Sequence, residues 1–267
     1  MPIDFHAPAN AQGYAGRQVD AEWAAAMRGI VDAAGRRVAD IGCGGGIYSL
    51  AWAGLGAAAV TGVDVSAAMV ATAARAAAGE PRIAVRQGQA AATGLPDAAF
   101  DIVFARALVH HLDDPGPALA EAWRILRPGG VLIVQDRTLA DVTASGGPGH
   151  IRGWFLELFP RLLAVEAGRR PEAAALLEAM AAAGFRDGRC LGLWETRKVH
   201  AGRDGLAADL RARTGRSLLH ELDDGELERL VAGVVRRLPE AGEIRERDRW
   251  TVWTAGKPRG APAAGAL

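Results

Sequence analysis

The sequence predicts an α/β protein built on a mostly parallel sheet flanked by helices, and three observations carry that expectation. The first is the run ADIGCGGG, Ala39 to Gly46, where a short apolar strand of Val38, Ala39 and Ile41 gives way to clustered glycines and a helix-like start at Ile47. The second is VTGVDVS, a strand-like stretch with Asp64 near its end, about 20 residues beyond the first glycine. The third is the alternation of strand-like and helix-like stretches as far as Asp136, the order that gives parallel pairing.

Taken in order, Ala21 to Ala34 has helical character and leads into a strand at Arg37 to Ile41. Helix Ile47 to Leu55, strand Ala59 to Asp64, helix Ala67 to Ala78 and strand Arg82 to Gln87 follow, with Phe100 to Ala105 as the next strand. Helix Pro117 to Leu126 stops at the breaker Arg127-Pro128-Gly129-Gly130, and Val131 to Asp136 is a continuous apolar strand of the buried type. Ser145 to Gly149 is expected to be a flexible break, and Ile151 to Ala167 an amphipathic helix interrupted near Pro160, part of a lid. Helix Pro171 to Ala183 precedes a sixth strand, Arg189 to Val199, whose partner is expected at Asp248 to Ala255. Between those strands, Gly205 to Arg213 and Asp223 to Leu238 read as helices of an insert large enough to shape a substrate cavity or to leave a homodimer open.

Composition narrows the function classes. The chain has 267 residues, 50% of them hydrophobic and 23% charged, enough for a large core. Lys plus Arg and Asp plus Glu both number 31, so no net charge draws it to nucleic acid or an anionic membrane, and a small-molecule substrate fits better. Two cysteines, Cys43 and Cys190, cannot build a disulfide framework or a four-cysteine zinc site, which points to reducing cytoplasm. The first 17 residues lack an apolar signal core and no stretch of about 18 apolar residues occurs, so neither targeting nor membrane insertion is expected.

The glycine spacing separates two cofactor classes. A dinucleotide fingerprint G-x-G-x-x-G places its third glycine where this chain has Ile47. Asp40, directly ahead of the loop, is awkward beside a pyrophosphate but suits a cofactor carrying an ammonium group and a cationic centre. S-adenosylmethionine carries both, and Asp64 is placed to take its ribose hydroxyls.

At these residues the chain resembles the class I S-adenosylmethionine-dependent methyltransferases, in the style of the small-molecule enzymes of ubiquinone and menaquinone biosynthesis. DIGCGGG looks like the family's first motif and GVDVSAAM (Gly62 to Met69) like its ribose-binding strand. GLPDAAFDIVFARALVHHLDDP (Gly94 to Pro115) and ALAEAWRILRPGGVLIVQD (Ala118 to Asp136) match in order. The resemblance implies a Rossmann-like, mostly parallel seven-stranded sheet flanked by helices, with helical inserts forming a cap. It implies one domain over residues 1–257, with its core at about 21–140, 171–200 and 245–257, cap inserts at about 141–170 and 201–244, and a disordered tail at 258–267.

The same resemblance places Asp40, Gly42 and Gly44 at the methionine portion with Cys43 also binding cofactor, Asp64 at the ribose, and Val65 and Met69 beside the adenine, although an apolar pair there also serves ordinary packing. Gly88, Gln89 and Ala90 align with a segment that meets the adenine amino group, with Gln89 where the family has aspartate, so the hydrogen bond lacks charge assistance. Tyr14 and Arg17 resemble residues that close over the cofactor and meet its carboxylate. Ala105 and Arg106 end the fourth strand near the cofactor, and Arg106 is also placed to recognise an anionic substrate.

His111 and His110 follow that strand, near the sulfonium and acceptor in the family. Either imidazole has the chemistry of a general base, and the pair also serves as a helix cap or loop anchor. Arg137, His150 and Arg152 are further cavity candidates that otherwise read as solvated surface. Trp154, Phe155, Leu158 and Phe159 are expected to supply apolar walls. No metal is expected, because Arg106 and Asp136-Arg137 stand where magnesium-dependent members have acidic ligands, and guanidinium repels a dication.

Overall fold

The computed structural model describes residues 19–213 and 215–260, and shows a seven-stranded sheet in the order β3-β2-β1-β4-β5-β7-β6. The strands are β1 (Arg37–Ile41), β2 (Ala59–Asp64), β3 (Ile83–Gln87), β4 (Phe100–Arg106), β5 (Leu126–Asp136), β6 (Arg186–His200) and β7 (Ile244–Gly256). β1 to β5 pair in parallel, and β7 runs antiparallel between β5 and β6. This is the mostly parallel, seven-stranded, Rossmann-like sheet that the resemblance implies.

Period-two alternation assigns each strand residue to a face. Val103, Leu132, Val134, Trp253 and Ala255 meet helices α4 (Gly116–Ile125) and α8 (Ala173–Ala182) through Trp123, Leu176 and Met180. Ile102, Phe104, Ile133, Trp250 and Val252 turn the other way, toward Trp23 and Met27 of α1 (Ala21–Ile30) and Trp52 of α2 (Ile47–Gly54). Trp23, Trp52 and Phe104 meet edge to face, with ring centroids 5.4 to 5.8 Å apart. On the far side of β2, helix α3 (Ala67–Ala76) is capped by the Ser66 side chain, which accepts from the Met69 amide.

The cap has a core of its own. Helices α6 (Ile151–Leu158), α7 (Leu162–Ala167), α9 (Arg203–Arg211) and α10 (Asp224–Arg237) bury Trp154, Phe155, Leu206, Leu210, Leu230 and Val234 among themselves. Asp223 and Glu226 form a reciprocal capping box that starts α10, and Thr138 and Asp141 do the same for the short α5 (Leu139–Val142). No helix among the described residues is long and apolar enough to cross a membrane.

Three local expectations are corrected. β5 begins at Leu126 and includes the Arg127 to Gly130 breaker: Leu126 pairs with Phe100, the next residues bulge out, and pairing resumes at Val131 with Ile102. β6 and β7 are longer than expected, because Lys198, Val199 and His200 still pair with Glu246, Arg245 and Ile244. The Ser145 to Gly149 segment is a packed turn: the His150 amide donates to the Gly147 carbonyl at 2.9 Å, and a Cβ at Gly153 would collide with the backbone at Ala144 and Gly146. Gly153→Ala is therefore expected to cost about 1–3 kcal/mol in urea unfolding, because backbone cannot swing aside as a side chain does. A variant of unchanged stability would show that this turn yields.

Candidate functional site

The strand order reverses between β1 and β4, and in such a sheet the crevice beyond the carboxyl ends of those two strands receives ligands. On one side lies the glycine turn. Gly42 (φ 73°), Gly44 (φ 51°) and Gly46 (φ 83°) are left-handed, a conformation that disfavours side chains. A Cβ at Gly46 would stand 3.0 Å from that of Ala73 in α3. The amides of Gly42 and Cys43 donate to the Val63 carbonyl, fastening the turn to β2. Asp64 then bridges the two elements: Oδ2 accepts from the Gly44 amide and Oδ1 from the Ser66 amide, both at 2.9 Å.

Asp40 is 2% exposed and accepts from the Ser49 hydroxyl at 2.6 Å. Burial raises its pKa to about 7, with Asp64 adding to the rise against Ser49 and Arg106. Burial likewise pushes the Cys43 thiol far above its ordinary range, helped by Asp40 and Asp64, so it is no nucleophile. Gly62 makes the arrangement possible, since a Cβ there would lie 2.9 Å from Cys43 Sγ.

Opposite the turn, Arg106 pairs with Glu195 at 2.8 Å and lies over the rings of Tyr48 and Trp250. A 3₁₀ turn, Val109–His111, carries the two histidines. His110 directs Nδ1 at both oxygens of Asp136, 2.9 Å from each, and its amide donates to Oδ2 at 3.2 Å. Burial works against the Asp136 carboxylate, yet His110, Arg170 and the Arg137 amide hold it below the usual range. For His111, desolvation and the neighbouring His110, Arg169 and Arg170 lower the pKa to about 4.

Around this pair lies a buried ion network. Asp248 meets Arg137 at 2.6 Å and Arg152 at 3.2 Å, and these guanidiniums overcome burial to hold it well below the carboxylate range. Glu166 meets Arg170 at 2.5 Å and also pairs with Arg169. Burial lowers Arg137 to about 9, and the proximity of Arg152, Arg170 and Arg106 adds to the fall.

A cavity of about 430 Å³ joins the two sides, running from Asp64, Val65 and Met69 past Asp40, Gly42, Cys43 and Gly44 to Arg106, His110 and His111. Ala105 instead faces a small apolar void behind the sheet, together with Ala90. Gln89 is exposed and its backbone bridges to Ala92, so Gly88, Gln89 and Ala90 are not brought to the cavity wall. Tyr14 and Arg17 lie outside the described residues.

Other expectations are overturned. Arg152 and His150 are 6% and 5% exposed rather than solvated, and Arg137 lines the cavity from within the ion network. Trp154, Phe155, Leu158 and Phe159 fill the cap core instead of walling the cavity, whose cap-side lining comes from Arg170, Gly215 and Ser217. Ser49, Asp136, Arg170, Glu195 and Asp248 were not legible as site residues. The only sequence signal was Asp136, an acid ending a strand beside the switch point. Among the described residues, His200, Asp209 and Glu246 are close enough to share a cation, but Arg216 pairs with both carboxylates at 2.6 Å, an arrangement that repels a metal.

A glycine turn tied to an acid-ended second strand at a topological switch point defines a cofactor-binding α/β protein of nucleotide type. Residues 39–134 match the family model described as a methyltransferase domain. A Mycolicibacterium smegmatis protein named "Probable S-adenosylmethionine-dependent methyltransferase" is 35% identical, covering 74% of this chain and 66% of its own. A Methylococcus capsulatus tRNA U34 carboxymethyltransferase is 33% identical, covering 50% of this chain and 41% of its own. The chain thus spans about two fifths to two thirds of these relatives' lengths. A solved structure from Anabaena variabilis, titled as belonging to an antibiotic biosynthesis pathway, covers 87% of this chain and 96% of its own with TM-score 0.64 and 19% identity. The chain belongs to the class I, Rossmann-like superfamily of S-adenosylmethionine-dependent methyltransferases.

The raised Asp40 pKa has a defined stability signature. Between about pH 4 and 7 the native protein holds a proton on Asp40 that the unfolded chain has lost, so this group lowers stability as pH rises through that window. Asp40→Asn should remove that contribution. Measured by urea unfolding, the variant should gain on wild type by at most about 1.4 kcal/mol per pH unit across the window. A constant difference would refute the raised pKa.

Proposed function

We propose that this protein transfers a methyl group from S-adenosylmethionine to an oxygen, nitrogen or carbon nucleophile of a small organic molecule. The observation that carries the proposal is the single cavity leading from Asp64 beside the glycine turn to His110 held by Asp136. Its walls fit the cofactor piece by piece. Asp64 retains lone pairs for ribose hydroxyls, Val65 and Met69 offer apolar surface to adenine, and Asp40 with Gly42 and Gly44 receives the methionine end. An ammonium group beside Asp40 would favour its ionised form. Residues 1–257 are taken as one domain, with the inserts at about 141–170 and 201–244 as its cap.

Bound S-adenosylmethionine supplies an electrophilic methyl on a sulfonium, a group that needs no metal. The protein's part is to align the acceptor, exclude water and take up a proton. His110 suits the last task better than His111. With Nδ1–H donated to Asp136, the remaining nitrogen, Nε2, carries the free lone pair, whereas the low pKa of His111 makes it a weak base. During transfer, the proton that the acceptor gives up would pass to His110 Nε2. A small acceptor, rather than a nucleic acid or a membrane, is supported by the zero net charge and by the cap over the cavity.

The test begins with thermal unfolding in the presence of S-adenosylhomocysteine, S-adenosylmethionine, NAD and NADP. Stabilisation by the adenosyl-sulfur compounds alone is expected, about 2.7 kcal/mol at 100 times the dissociation constant. Stabilisation only by nicotinamide compounds would overturn the proposal. Asp64→Ala should weaken S-adenosylhomocysteine at least about tenfold in calorimetry, since two charge-assisted ribose bonds are lost. Once an acceptor is found, His110→Gln should lower kcat by about 10² to 10⁴ with cofactor affinity unchanged; full turnover would remove His110 as the base. Cofactor binding without S-adenosylhomocysteine release from any acceptor would instead mark a silent binding protein.

A further inference from the structure

Building on the methyltransferase reading above, we propose that the acceptor carries an oxyanion, a carboxylate or phosphate, held by Arg137 and Arg170 at the end of the cavity beside His110. Both arginines line the cavity, and both flank Asp136: Arg137 donates its amide to Oδ1 at 2.8 Å, and Arg170 Nη1 stands 3.8 Å from the same oxygen. An anion between them would lie next to the histidine that Asp136 orients.

Two features of the network call for such a ligand. The first is charge. Among the described residues, Arg137, Arg152, Arg169 and Arg170 face three carboxylates, Asp136, Glu166 and Asp248. The adjoining set, Arg197, Arg216 and the exposed Lys198 against Asp209 and Glu246, has no carboxylate to spare, so the network around Asp136, with Arg169 partly exposed, carries one more cation than anion. The second is unmet hydrogen bonding. Arg137 Nε and Arg170 Nη1 are buried and lack a hydrogen-bond partner, although the Arg170 side chain is only 3% exposed. A planar guanidinium with an open N–H is suited to an oxyanion, which accepts two donors at once. The depressed pKa of Arg137 points the same way, because an anion beside it would raise that pKa again.

The other anion available is the cofactor's own carboxylate. Arg106 is the cation in range of Asp40 at the glycine turn, whereas Arg137 and Arg170 lie around Asp136, on the side of the histidines. The two arginines therefore belong to the acceptor end.

The test uses protein saturated with S-adenosylhomocysteine, titrated calorimetrically with benzoate, inorganic phosphate and benzamide, the last a neutral isostere of benzoate. Absence of S-adenosylhomocysteine binding in the first titration would defeat the methyltransferase reading before any anion is added. With the cofactor product bound, at least one anion should bind at least about tenfold more tightly than benzamide. Benzoate alone would identify a carboxylate acceptor, and phosphate alone a phosphorylated one. Arg170→Gln and Arg137→Gln should each weaken the anion at least about tenfold while leaving S-adenosylhomocysteine within about twofold, and Arg170→Lys should recover part of the loss. No preference for either anion over benzamide in the wild-type protein would overturn the proposal, whether or not the variants fold. Equal weakening of S-adenosylhomocysteine and anion would do so too, by assigning the arginines to the cofactor carboxylate.

Discussion

A carboxylate with no exposed surface ends β5, and much of the site is arranged around the need to compensate it. Asp136 is 0% exposed, and a buried ion of this kind costs several kcal/mol unless donors surround it. Its donors come from three directions: the amide and Nδ1 of His110 from the turn after β4, the amide of Arg137 from its own chain, and the charge of Arg170 from the segment after α7. Satisfying that one group fixes the tautomer of the histidine, closes the turn that carries it and brings a cap arginine over the cavity. The placement of the proposed base and the docking of the cap share one electrostatic cause.

That cause explains where the ions lie. The sheet packs its two faces with apolar clusters, and the cap packs a third among its own helices. The seam between sheet and cap is left to Asp136, Glu166, Asp248 and their arginines. Such a seam adds little net stability, because desolvation offsets much of the Coulomb attraction. It gives specificity of position instead: an arginine that leaves its carboxylate strands two charges, so the cap has one favourable seat.

The parts of the protein that were legible in its sequence are those governed by local rules. β1, its glycine turn and β2 ending at Asp64 follow from strand periodicity and from the left-handed backbone at Gly42, Gly44 and Gly46. The break of the cap helix at Pro160 was visible for the same reason, since α6 stops at Leu158 and α7 resumes at Leu162. What could not be read depends on partners distant in the chain. Arg152 and His150 look like surface residues until Asp248, 96 positions from Arg152, arrives on β7. Nothing local distinguishes Arg170 from its less buried neighbour Arg169, and Trp154 and Phe155 carry the same apolar pattern whether they wall a cavity or fill a cap. Gln89 is exposed and is not among the residues lining the cavity.

The boundary of the family match falls along the same division. Residues 39–134 contain the glycine turn, Asp64, Arg106 and both histidines, whereas Asp136, Arg137, Arg170, Glu195 and Asp248 all lie beyond it. The matched half is set by backbone geometry that any sequence with the right glycines and one acid can reproduce. The unmatched half is set by ion pairs among residues far apart in the chain, where exchanging one partner changes the charge presented to the cavity without disturbing the sheet. A protein of this architecture can therefore keep its cofactor half and change its acceptor by altering the seam alone. In this chain, the seam ends in Arg137 and Arg170, which both line the cavity beside His110 and each keep a buried nitrogen without a hydrogen-bond partner.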